Sequence, residues 1–415
     1  MRIGIIGSGA AGLASAWLLE EHHEVLLFEK NDRFGGHAQT VYVNQSDTQI
    51  PIEIGFEFFN ERMYPHFCRL LAALNVATRT FDFTYTFYQP EKQLLVLPPI
   101  QKNKIFWHSF SARNICSLIQ LKKVIAKSHE LMMNKNGLVT LEEFAKRQGI
   151  SSHFMSQFFL PLFCAGWGVS AEEFGTFSAY NVLAYIVKNQ PIGLQPSIWL
   201  EIIDGMSSYI SRLINSLTRT HLKKSTTITS VSYANDEYTI ATHTNELLTV
   251  DHLVVATDPH SAPSLLQLID PDKARYNAIS SIEFIPTTIA VHQDPRFMAP
   301  RKQDWSVANV NYNGTYSTLT INKQWKSSNL FRSWLLPGFP EPVQIHATQD
   351  YFHPKPNLNY FKAQQVIAST QGINNLWIAG LYTNDIDSHE SAVVSAVTIA
   401  KKLAPQSKRL QSLTN

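Results

Sequence analysis

The sequence predicts an α/β protein in which a parallel-sheet domain is assembled from separated pieces of the chain, with an α+β domain inserted between them. Three observations predict it. The chain opens on a strand, a glycine turn and a helix; short, wholly apolar strands return near the middle and at the end; and blocks of alternating strand and helix signals fill the intervals.

The opening is the most specific part. The apolar run Ile3 to Ile6 leads into Gly7-Ser8-Gly9-Ala10-Ala11-Gly12 and then into the apolar-periodic stretch Leu13 to Leu19. In a G-x-G-x-x-G turn the first glycine permits the bend and the second lets the backbone approach a pyrophosphate. The third lets helix and strand pack closely, while the helix N-terminus offers free N–H groups to the anion. A second strand, Glu24 to Phe28, ends at Glu29, where such a motif needs an acid to accept ribose hydroxyls. A Rossmann-type dinucleotide site follows.

Further along, Phe67 to Leu74 reads as a helix, Thr80 to Leu97 as strands, and Ile100 to Lys135 as a long basic helix. Thr140 and Glu143 stand at capping-box spacing and start another helix. Leu160-Pro161 interrupts an aromatic run. Ser225 to Thr249 alternates as paired strands, Asp251 to Asp258 is a buried parallel-type strand, and Ala278 to Pro354 holds several more strands. Asn374 to Gly380 is a last buried strand, and Glu390 to Leu403 a helix of small and apolar residues. Residues 1–65, 222–262 and 356–415 are thus assigned to the cofactor domain, and 66–221 with 263–355 to the substrate domain.

With 415 residues the chain is long enough for both. A net charge of +2 and 44% hydrophobic residues describe a globular protein and exclude a nucleic-acid binder or a disordered tail. Met1 runs straight into a strand, leaving no room for a signal peptide, and no apolar run reaches the length of a spanning helix. A cytoplasmic location is expected. Cys68, Cys116 and Cys164 lie far apart without a C-x-x-C, and the histidines form no ligand spacing, so no metal is expected.

Glu29-Lys30, Arg33 and Gly35-Gly36-His37 form an E-x-x-x-R-x-G-G pattern. It resembles the signature of the glutathione-reductase-type FAD superfamily, in its branch of flavin amine oxidases, phytoene desaturases and protoporphyrinogen oxidases. The resemblance implies FAD rather than NAD, bound without a covalent link. It places Gly380 and the turn into Glu390, Ser391, Ala392 and Val393 against the isoalloxazine, and Ile228 or Val231 near the adenine. Gly55, Phe56 and Ala256 complete the implied cofactor contacts. Where many relatives have Gly-Asp, this chain has Gly380-Leu381. The stretches EIGFEFFNERMYPHFCRLLAALNVAT, QFFLPLFCAGWGVS, QPSIWLEIIDGMSSYISRL, YFHP and SHESAVVSA resemble a subfamily often encoded beside, or fused to, cyclopropane-fatty-acid-synthase-type methyltransferases. That association implies lipid acyl chains as substrate.

The isoalloxazine would do the hard step, leaving the protein to place a C–H bond, exclude water and hold charge. Phe56, Phe58, Phe59 and Tyr64 cluster after Gly55, and Phe154, Phe158, Phe159, Phe163 and Trp167 recur at helical steps. They line an apolar cleft or form plain core. His389-Glu390 stands beside the expected flavin-facing turn, where the histidine either relays a proton or caps the last helix. His353, before Pro354, serves either function or loop rigidity. The catalytic candidates are therefore His389, Glu390, Trp167 and Phe56. From 101 to 135, Lys102, Lys104, Arg113, Lys122, Lys123, Lys127 and Lys135 face Glu130 alone among interleaved apolar residues. This is a surface for anionic membrane or a solvated helix face. The expected protein is an FAD-dependent dehydrogenase acting on a lipid acyl chain, with an amine oxidase and a non-redox flavin mutase or scaffold as rivals. Its expected partners are a small-molecule or lipid substrate, membrane through 101–135 and a second copy in a homodimer.

Overall fold

The computed structural model describes residues 1–45, 48–101, 104–189, 198–269 and 273–414. Its centre is a parallel sheet in the order Thr220–Lys223, β2 (Glu24–Phe28), β1 (Arg2–Ile6), His252–Val255, Leu376–Ile378. Both faces are covered, so Ile3, Ile5, Val25, Leu27, Leu253, Val254 and Ile378 are all buried, which is why these strands read as apolar runs without alternation. α1 (Ala10–Leu19) lies on one face and packs against the last long helix, His389–Leu403. The Ser225 to Thr249 region folds as a meander, Ile228–Ala234, Glu237–Thr242 and Leu247–Val250, paired antiparallel.

The second layer system is a seven-stranded sheet ordered Ile345–Pro354, Phe284–His292, Phe331–Leu335, Ser317–Asn322, Ala308–Tyr312, Tyr85–Gln89, Gln93–Leu97. Helices cover it through a cluster containing Phe87, Val310, Phe158, Phe174 and Phe177. The Thr140–Glu143 capping box forms as the spacing predicts and starts Leu141–Arg147.

Three expectations need correction. Residues 100–135 are not one helix: a small hairpin (Ile100–Gln101 with Lys104–Ile105) and a 3-10 turn (Trp107–Phe110) precede the helix α3 (Ala112–Lys127), then His129–Asn134 follows. Ser111 caps α3 by accepting from the Asn114 amide, and Asn114 is held by Leu94 O and His108 O, so the helix starts there. Leu160-Pro161 does not end its helix, because the chain loosens into a π turn over Met155–Phe159 and the proline sits in the first turn of Leu160–Phe163, where no N–H is needed. Finally, Phe67, Leu70, Met206, Tyr209 and Leu213 are buried in the same cluster as β1 and α1. The segments around Pro65–Ala73 and Met206–Asn215 therefore pack with the parallel sheet, inside the sequence range given to the substrate domain. Lys102 and Gln195 to Ser197 lie outside the described residues.

Candidate functional site

Gly7 holds φ at +104°, and a Cβ there would lie 2.7 Å from Ala256 O; one on Gly12 would lie 1.9 Å from Gly7 O. Both glycines are required by the turn itself. Gly9 is different: a Cβ built on it meets nothing within 4 Å, and as the N-cap of α1 it leaves the helix end without a side-chain cap. That open, positively polarised end, flanked by Ala10 and Ala11, is what an anion requires. Gly35 donates its amide to Ser8 O at 2.9 Å, and a Cβ on Gly36 would lie 3.1 Å from Gly9 Cα, so the second glycine pair closes on the first. Glu29 is buried, accepts from the amide and hydroxyl of Ser8, and is bonded by the Asn31 amide. Arg33 donates to Gly36 O and Gln39, while Lys30 is exposed. Ile228 opens the strand beside Thr226, whose amide bonds Glu29 O. Ala256 packs against Gly12, and the neighbouring Thr257 hydroxyl is buried without a hydrogen-bond partner among the described residues.

A second group of unpaired polar atoms lies where the glycine pair meets the seven-stranded sheet. The Gly55 Cα lies so close to the His37 carbonyl that a Cβ would sit 2.0 Å from it and 3.2 Å from Tyr351 Oη. Arg332 donates to Gly55 O at 2.9 Å. The His37 ring lies 4.7 Å from that of Tyr351 and 6.3 Å from that of His353, which stacks on Trp334 at 5.4 Å. Tyr351 and His353 alternate on one strand and so share a face. Trp334 Nε1, Tyr351 Oη and His353 Nε2 are buried with no hydrogen-bond partner among the described residues. Buried polar groups are nearly always bonded, so such a cluster marks a place built for a ligand. Burial, then the charges of His37 and Arg332, hold the His353 pKa near 3. Burial also lowers that of His37, with Asp258 opposing, and pushes the Tyr351 hydroxyl to about 12. All three are neutral at physiological pH.

The last helix reaches this region differently from the expectation. Ser388, not His389, is its N-cap, accepting from the Ser391 amide at 3.1 Å, and the Ala392 amide bonds Ser388 O. Those amides are already engaged; Ala392 and Val393 are buried, and Gly380 donates to Ser395. His389 Nε2 meets Tyr209 Oη at 2.8 Å, and its ring stacks on Phe56 at 4.4 Å with a 3° tilt. Burial, then His37, depresses its pKa to about 3, so it is a neutral platform under Phe56 and poorly suited to carrying a proton. Both Glu390 oxygens are spent on the start of α2 (Pro65–Ala73): one accepts from the His66 amide and ring at 3.0 and 2.7 Å, the other from the Phe67 amide at 2.9 Å. Trp167 lies in the inner cluster beside Phe174 and is bonded to Asp387, while the adjoining Gly168 lies against the Trp334 ring, where a Cβ would sit 2.6 Å from it. Phe154, Phe158 and Phe159 are core as well.

Sequence reading missed two features. One is Asp387, whose pKa burial raises to about 7 despite bonds from Asn181 and Trp167. The other is a buried ionic cluster: Lys323 bridges Glu57 at 2.9 Å and Glu201 at 3.0 Å, with Lys326, Arg79 and Arg332 around them. Burial works against the Glu201 charge, but Lys323, Lys326 and Arg79 outweigh it and hold the pKa near 2. Its members come from separate strands and loops, so no local spacing announces it. The Tyr-x-His alternation in YFHP was the one signal that pointed to the unpaired group.

The parallel sheet, the open glycine turn and the second glycine pair together define a flavin-dependent oxidoreductase. A family model described as flavin containing amine oxidoreductase matches residues 10–320, and the chain belongs to that family. No curated protein matches the chain by sequence. Three solved structures share the fold. Cyclohexylamine oxidase from Brevibacterium oxydans IH-35A is 15% identical, with a TM-score of 0.71 over 97% of this chain and 99% of that one. A CLA-producing fatty acid isomerase from P. acnes is likewise 15% identical, with a TM-score of 0.71 over 97% and 98%. A candidate protoporphyrinogen oxidase from Exiguobacterium sp. 255-15 is 16% identical, with a TM-score of 0.69 over 97% and 98%. The cofactor is FAD, and the open Gly9 face, the buried Glu29 and the unpaired Thr257 hydroxyl fit it.

Proposed function

We propose that the protein oxidises a carbon of a lipid acyl chain, in the manner of a desaturase-like dehydrogenase. One observation carries the reading: the buried unpaired groups beside His37 can all donate hydrogen bonds, and the Trp334 indole can only donate. They suit the carbonyl or carboxylate oxygen of an acyl group. Tyr351 Oη and His353 Nε2 can also accept, but the Trp334 indole cannot, and the charged acceptors that would favour an ammonium, Glu57, Glu201 and Glu390, are each engaged with a cation or with amides. Bound FAD would supply the hydride acceptor. The proton released from the neighbouring carbon leaves to solvent, because His353, held near pKa 3 like His389, serves as a donor to the acyl oxygen and not as a base. Phe56 on its His389 platform excludes water from the same edge. The fold itself accommodates such a substrate, since a fatty acid isomerase shares it.

The test mixes oxidised enzyme anaerobically with fatty acids and phospholipids bearing unmodified, methylated or cyclopropane chains, and separately with monoamines and polyamines, while following flavin absorbance. Bleaching by an acyl substrate is expected, with Trp334→Phe raising its KM. Bleaching by amines alone overturns the proposal.

A further inference from the structure

We propose that α3, with the Trp107–Phe110 turn before it, docks on an anionic phospholipid surface. The helix packs Leu118, Leu121, Val124 and Ile125 on the inner cluster, and it carries further apolar residues on its outer side as well. Asn114 and Ser117 are buried along with that inward stripe, whereas Ile115 and Ile119 face solvent, Ile119 half exposed at 50%. In the turn that feeds it, Trp107 is 74% exposed and Phe110 42%. A tryptophan left in water beside outward isoleucines is an arrangement with a purpose at a membrane interface, where an indole is apolar on its faces and polar at its N–H.

The charge around this apolar strip selects the partner. Arg113, Lys122, Lys123 and Lys127 flank Ile115 and Ile119 on the exposed side of the helix. Among the described residues no carboxylate pairs with any of the four: Arg113 donates to Lys92 O and Lys127 to Gln148 O, neutral acceptors that leave the positive charge uncompensated. An uncompensated cationic rim around an apolar strip complements a bilayer with anionic headgroups, into which the isoleucines and Trp107 insert while the lysine ammonium groups stay at headgroup level. A cationic rim would repel the same face of a second copy.

Vesicle binding is read without turnover, so it fails or succeeds independently of the acyl reading. The holoenzyme is sedimented with phosphatidylcholine vesicles and with vesicles containing phosphatidylglycerol, at low and high salt. Binding to the anionic vesicles alone, weakened by salt, is expected. Lys122→Gln with Lys123→Gln should weaken it on the order of tenfold, and Ile115→Ser with Ile119→Ser should weaken it at low salt as well. Unchanged flavin content and melting temperature show that these exposed substitutions leave the fold intact. Equal binding by parent and variants overturns the proposal, as does no vesicle binding together with a concentration-dependent dimer that the isoleucine variant abolishes.

Discussion

Gly9 and Gly12 look equivalent in the motif, yet a side chain has room at one and none at the other. Gly9 has φ −67°, a conformation any residue adopts. Gly9→Val should therefore fold, melt close to the parent apoprotein and lose flavin, measured as released FAD per chain. Gly12→Val should fail to fold at all, because its Cβ collides with the Gly7 carbonyl. His389 carries a different lesson: full burial keeps the imidazole neutral, and its value lies in the Tyr209 bond and the Phe56 stack. His389→Gln, which can keep the Tyr209 bond, should reduce flavin reduction rates far less than the hundredfold typical of a lost general acid or base. His389→Ala should lower stability by a few kcal/mol through the cavity left under Phe56. A hundredfold rate loss in the glutamine variant, with stability unchanged, would restore the proton-relay role.

At the scale of elements, Glu390 ties the start of the last helix to the start of α2, and the contact joins parts of the chain remote in sequence. A buried carboxylate on two amides and an imidazole is worth more than an ordinary cap, because its removal strands donors that water does not reach. Glu390→Ala should destabilise by about 2–3 kcal/mol in chemical denaturation, with flavin affinity reduced only as the fold loosens. The same scale explains how sequence and structure part company in 100–135. Periodicity and charge identified an amphipathic helix, but the Ser111 cap and the Asn114 bonds to Leu94 and His108 fixed where it begins. The inward face packs Leu118, Leu121, Val124 and Ile125 on the core, and Ile115 and Ile119 are left outside.

For the whole molecule, buried titratable groups set two opposing pH dependences. Below pH 6.5 an unfolded histidine takes up a proton that folded His353 and His389 refuse until about pH 3, so stability falls as the pH drops through that window. Asp387 acts the other way: between its ordinary 3.8 and about 7 the unfolded carboxyl gives up a proton that the folded one keeps, so its contribution is lost as pH rises. Asp387→Asn should accordingly raise the melting temperature at pH 8 relative to the parent and lose that advantage near pH 4. An advantage independent of pH would contradict the assignment. In the ionic cluster, Lys323→Met leaves Glu57 and Glu201 buried beside one another's remaining partners, and should cost about 3–5 kcal/mol.

The sequence by itself determined the parallel sheet, the glycine turn with Glu29 and Gly35-Gly36, the meander and the Thr140 cap. Each depends on residues close together in the chain, where a backbone conformation, a short repeat or a capping spacing leaves its mark. Only the tertiary structure decided the rest of the site. The unpaired donors of Trp334, Tyr351 and His353, the Glu390 cap on α2 and the Lys323 cluster join segments up to hundreds of residues apart. Their chemistry comes from burial and from which partners are missing, and both are properties of packing that no local pattern of residues encodes.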